Sequence, residues 1–109
     1  MPRSLESLSP ADGEQVANQN LVAALTAGRI VYDDGAEQVF DHDGATTYTD
    51  RGHPTRGEWY IDADGRFASF WPPTYRASYD LHWVVEAGSI VGLSFTHCGD
   101  GAQFTGRYV

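Results

Sequence analysis

The chain has 109 residues, 41% hydrophobic and 13% aromatic, with a formal net charge of −8 from 7 basic and 15 acidic residues. That length builds one hydrophobic core, and that charge excludes partners recognised through a basic footprint, namely nucleic acid and anionic membrane. Cys98 is the sole cysteine, which excludes an intrachain disulfide, and no apolar run approaches the ~20 residues of a membrane-spanning helix.

The first residues, Met1-Pro2-Arg3-Ser4-Leu5, lack the apolar stretch of a secretory signal, so a cytoplasmic location is expected. Residues 1–15 read as a loose leader and 16–109 as a single β-barrel domain. Ser9-Pro10 supplies a capping serine and a proline at a first helical position, but Gly13 shifts the firm helix toward Val16 or Asn18. Leu21, Val22 and Leu25 make a short apolar stripe, and Gly28 stands where a helix-ending glycine belongs. The expected role of this short N-terminal α-helix is to cover one end of a sheet.

From Arg29 onward the chain reads as strands and tight turns: Ile30–Tyr32, Glu37–Phe40, Thr46–Thr49, a loop from Asp50 to Pro54, then the hairpin Arg56–Trp71. Tyr75–Val85, Ile90–His97 and Gln103–Val109 follow. Asp-Gly recurs at 34–35, 43–44, 64–65 and 100–101, a repeated turn device. About eight short strands with no long crossover predict a mainly β fold, an antiparallel up-and-down barrel.

Side-chain alternation sets the expected registers. A three-residue loop ending at Gly65 pairs Ile61 with Phe67 and Trp59 with Ser69, placing Gly57, Trp59, Ile61, Phe67, Ser69 and Trp71 on one inner face. Tyr60 and Phe70 share the other face, where the N-terminal helix or a partner chain is expected to cover them. A three-residue loop Glu86-Ala87-Gly88 pairs Trp83 with Val91 and Leu81 with Leu93. A two-residue Asp100-Gly101 turn pairs His97 with Phe104 and Leu93 with Tyr108. The inner wall then holds Tyr79, Leu81, Trp83, Val91, Leu93, Phe95, Phe104, Tyr108 and His97.

His97 is the polar exception on that wall, able to hold a ligand, shuttle a proton or bond a core partner. His82 alternates with Trp83 and is expected in solvent. Asp41-His42-Asp43 and Asp62-Ala63-Asp64-Gly65 resemble the start of a calcium loop, but the twelfth positions are Gly52 and Pro73 instead of glutamate, so both read as turns. The four histidines lack zinc-site spacing, and neither a metal nor a cofactor is expected. Cys98 and His97, adjacent on a strand, point apart and form no nucleophile pair. Neither G-x-S-x-G nor a phosphate-cradling glycine loop occurs.

Gly57-Glu58-Trp59 is a G-x-W triplet, and Arg107 on the last strand resembles the arginine that packs on that tryptophan in lipocalins. With a short helix and successive hairpins over residues 16–109, the chain resembles calycin-type barrels, the lipocalin and avidin-like group. In lipocalins the triplet opens the first strand, whereas here it falls mid-chain. The resemblance implies a ligand-binding barrel.

Three functions follow as expectations. The first is binding of a hydrophobic or aromatic small molecule in a pocket lined by Trp59, Trp71, Trp83, Tyr79, Phe95 and Phe104, with His97 and Tyr108 as polar handles. Against it stands an interior filled by those same side chains. The second is a lyase, isomerase or cyclase using His97 with Tyr79 or Tyr108 as an acid–base pair. The third is a non-catalytic module that forms a homodimer through the Tyr60/Phe70 face.

Overall fold

In the computed structural model, which describes residues 5–109, eight antiparallel strands follow one another around a closed barrel. They are β1 (Ile30–Tyr32), β2 (Glu37–Phe40), β3 (Ala45–Asp50), β4 (His53–Ile61), β5 (Phe67–Trp71), β6 (Tyr75–Glu86), β7 (Ser89–His97) and β8 (Gln103–Tyr108). Closure comes from β8 against β1, with Ile30 opposite Tyr108 and Tyr32 opposite Gly106. The expected up-and-down barrel is thus the observed one.

Turn chemistry explains why consecutive strands pair. In three hairpins an Asp-Gly pair completes a three-residue loop, closed by backbone bonds from Tyr32 to Ala36, Asp41 to Ala45 and Asp62 to Arg66. An aspartate in each loop takes a backbone N–H: Asp34 from Ala36, Asp43 from Ala45, and Asp62 from Asp64 and Arg66. Gly65, with φ +80°, supplies the left-handed residue that lets Ile61 face Phe67 and Trp59 face Ser69, as the alternation predicts. The shorter turn Arg51-Gly52 replaces the expected loop Asp50–Pro54, because β4 already begins at His53.

Two registers differ from expectation by two residues. Ala87 and Gly88 both adopt positive φ, making a two-residue turn with Glu86 opposite Ser89. A bulge between Val84 and Val85 then resets the alternation, so Trp83 faces Leu93, Leu81 faces Phe95 and Tyr79 faces His97. Ile90 takes the buried place expected for Val91. At the β7–β8 turn, His97 bonds Ala102 and the loop is four residues, so Phe95 faces Phe104 and Leu93 faces Gly106. From Trp83 onward the net shift is two, which keeps Tyr79, Leu81, Trp83, Leu93 and Phe95 on the expected face, whereas the one-residue step beside the turn buries Ile90 in place of Val91.

One end of the barrel is closed. A 3-10 turn at Asn18–Asn20 leads into α1 (Leu21–Thr26), which buries Leu21, Ala24 and Leu25 beside Leu5, Val16, Ile30, Trp83, Ile90 and Leu93. Ser9-Pro10 starts no helix. Gly13, with φ +82°, instead turns the chain into an extended path along β6, where Gly13 bonds the Trp83 carbonyl, Trp83 bonds Glu14, and Val16 bonds Leu81. β5 pairs β6 only as far as Tyr79, so this segment fills backbone positions of β6 that β5 leaves open. Asp12 Oδ1 accepts the Val85 N–H at 2.9 Å. Of the expected leader, residues 1–4 lie outside the described residues. Gln15, in the extended path along β6, bridges to His82, which is half-buried and not solvated as its alternation suggests.

Candidate functional site

The opposite end is open. Its turns follow β1, β3, β5 and β7, and between them a cavity of about 680 Å³ enters the upper half of the barrel. Its floor is aromatic: Phe67 and Phe95 meet edge-on at 5.8 Å, with Phe40 beneath at 5.5 Å from Phe67. Tyr32, Tyr48, Trp71 and Tyr79 form walls around that floor, and the exposed rings of Tyr75 and Phe104 stand at the rim. Filled core and open cavity therefore coexist, the first at the α1 end and the second at the mouth.

Trp71 owes its position to the glycine of the G-x-W triplet. A Cβ on Gly57 would stand 2.5 Å from Cε3 of Trp71, so the indole lies directly on the β4 backbone. Its Nε1–H donates to Ser69 Oγ at 3.2 Å. Trp59, by contrast, is 7% exposed and belongs to the core, with its indole N–H on the Asp41 carbonyl at 2.9 Å. Arg107 does not pack on Trp59 as the resemblance implies. It faces outward and pairs with Glu86, since β8 alternates Gly106 and Tyr108 toward the interior.

Polar groups in the cavity form ordered chains. Tyr32 donates to Gln38 Oε1 at 2.6 Å, Gln38 Nε2 donates to Thr46 Oγ1 at 3.0 Å, and Thr46 donates to the Val39 carbonyl at 2.8 Å. Burial first, then the neighbouring Tyr48, Tyr79 and Asp34, pushes the Tyr32 hydroxyl well above the usual phenol range. Burial, with Tyr75 and Asp100 adding to it, pushes Tyr79 up to about 12. Tyr48 is also raised, chiefly by burial. All three phenols are therefore neutral near pH 7. Asp33 and Asp34 mark one side of the rim, and among the described residues no arginine or histidine lines the cavity.

Among the residues singled out from sequence, Trp71, Tyr79, Phe95 and Phe104 line this cavity together. Trp59 and Trp83 lie in the core, and the Tyr108 hydroxyl bonds the Ala24 carbonyl at 2.6 Å, holding α1 in place. His97 touches the lining without joining it: its ring meets Tyr79 edge-on at 5.2 Å, and Nε2 lies 3.5 Å from the Tyr75 hydroxyl. Nδ1 accepts the Gly99 and Asp100 backbone N–H groups at 2.9 and 3.2 Å, which assigns the proton of the neutral ring to Nε2. His97 and Tyr108 are thus apart, one at the mouth and one under α1. Tyr32, Gln38, Tyr48, Ser69 and Tyr75 also line the cavity, and Thr55, Gln103 and Thr105 add polar groups toward the mouth. Alternation from Ile30 to Tyr32 and from Phe40 back to Gln38 carried the signal for two of them, but no residue type there stands out.

Tyr60 and Phe70 lie on the outer face, where Tyr60 is 38% exposed and a side chain of β6 reaches across both rings. The Arg76 guanidinium lies 4.3 Å from the centre of the Phe70 ring and donates to the Tyr60 hydroxyl at 3.0 Å. Among the described residues no helix is long and apolar enough to cross a membrane. Compared with protein-family models, with curated proteins and with solved structures, the chain matches none.

Proposed function

We propose that this protein binds a hydrophobic or aromatic small molecule in the open half of its barrel, as calycin-type barrels do. The observation that carries the reading is the cavity itself. Its volume of about 680 Å³ falls within the range of small-molecule pockets, and Tyr32, Tyr48, Phe67, Trp71, Tyr79 and Phe95 surround it. Rigid rings offer a ligand large contact area with little conformational entropy to lose. The rim carboxylates of Asp33 and Asp34, with no positive side chain in the lining among the described residues, favour an uncharged ligand over an anionic one.

Acid–base catalysis by His97 draws less support. Its Nδ1 is engaged by two backbone N–H groups, and neither nitrogen borders the cavity. Titration of the protein with a neutral aromatic probe tests the binding reading. Saturable binding supports it, and no binding of any neutral aromatic probe defeats it.

A further inference from the structure

Ser69 is 2% exposed, sits mid-strand on β5 between Trp59 and Ala77 of the flanking strands, and lines the cavity. Its oxygen accepts the Trp71 indole N–H. A serine hydroxyl is also a donor, and no acceptor among the described residues takes the Ser69 proton. The hydroxyl thus has its acceptor side used and its proton free on the wall of the cavity, beside the apolar faces of Phe67, Trp71 and Phe95, where a ligand acceptor can take it.

Gln38 makes a parallel case. Thr46 gives its own proton to the Val39 carbonyl and must therefore accept from Gln38 Nε2, which turns Oε1 toward the Tyr32 hydroxyl. The second amide N–H of Gln38, a side chain 7% exposed and in the same lining, has no acceptor among the described residues. Both donors are neutral. With Asp33 and Asp34 at the rim, and no cation in the lining among the described residues, a carboxylate or phosphate would enter against the local field.

We infer that the ligand carries a neutral carbonyl-type oxygen that takes the Ser69 hydroxyl proton, with the Gln38 amide as a second donor. The aromatic walls then hold the rest of the molecule, so the class is an aryl ketone, aromatic amide or lactone. This rests on the binding function proposed above.

The test compares 2-acetylnaphthalene with 2-isopropenylnaphthalene, which has the same shape and a methylene in place of the oxygen. Calorimetry on the full chain is expected to show the ketone bound about 5- to 10-fold more tightly, the worth of one neutral hydrogen bond. In Ser69→Ala the preference falls, with the fold checked by circular dichroism. An independent readout is the carbonyl stretch of the bound ketone, expected at lower frequency than in hydrocarbon solvent and moving back up in Ser69→Ala. If that variant does not fold, the wild-type preference and the wild-type stretch decide. Equal affinities with an unshifted stretch overturn the inference and leave the binding function standing, as does 2-naphthoate binding more tightly than the ketone. If neither neutral naphthalene binds, the binding function itself falls, and this inference with it.

Discussion

The indole of Trp71 rests on the α-carbon of Gly57, and a methyl group there would overlap its ring at 2.5 Å from Cε3. Gly57→Ala is therefore expected to push Trp71 into the cavity or out of the mouth. Overpacking of this kind destabilises by about 1–3 kcal/mol. Loss of one aromatic wall weakens ligand binding by up to about tenfold. Urea denaturation and a probe titration on the same variant check the two effects. Unchanged binding would mean that Trp71 does not shape the site.

Alkaline pH acts through the buried phenols. Tyr79 is pushed up to about 12 by burial, with Tyr75 and Asp100 adding to it, and burial raises Tyr108 and Tyr32 further. In the unfolded chain these groups ionise near 10. Above that pH the unfolded state has lost protons that the folded state keeps, so stability falls as pH rises. It is fully present below about pH 10 on this account, and for Tyr79 the loss spans 10 to about 12. Denaturation midpoints measured from pH 8 to 12 should hold level and then drop, and Tyr108→Phe should reduce the drop.

Arg76 spans Phe70 and Tyr60 on the outer face. Arg76→Ala removes a cation–π contact worth about 0.5–1 kcal/mol at an exposed site. It also uncovers two aromatic rings. Sedimentation velocity over a range of concentrations should show association in the variant that exceeds any in the wild type, while probe affinity stays the same. Equal sedimentation of the two proteins would mean that Arg76 does not mask that face.

Asp12 ties the N-terminal segment to the barrel by accepting the Val85 N–H. Asp12→Ala should cost about 1 kcal/mol, and the Val85 amide should exchange with solvent faster than in the wild type. A slow Val85 amide in the variant would place the anchor elsewhere.

How much of this was legible depended on parity. Alternation of large and polar side chains fixes which face a residue occupies, and it held for Trp59, Phe67, Ser69 and Trp71 because Gly65 closes the predicted loop. It could not fix how far two strands slide by even steps. The two-residue turn at Ala87-Gly88 and the bulge beside Val85 together slide β7 by two, as the four-residue loop after His97 slides β8, and neither leaves a mark in the pattern of residue types. Depth along the barrel axis was hidden for the same reason. Trp59, Trp71 and Trp83 share an inner face, yet only Trp71 reaches the cavity, because β4 carries Trp59 down toward Asp41 and β6 carries Trp83 under α1. The Arg76 contact with Tyr60 and Phe70 was not legible because a guanidinium two strands from Tyr60 leaves no sequence periodicity.

A neutral aromatic molecule that enters the open half of the barrel must touch Trp71. Titration with N-phenyl-1-naphthylamine, an uncharged probe whose emission rises in apolar surroundings, tests it most directly. Saturable one-to-one enhancement at micromolar probe is expected, weakened about tenfold in Trp71→Ala and unchanged in Trp59→Phe. No saturable enhancement, or the same affinity in Trp71→Ala as in the wild type, would contradict it.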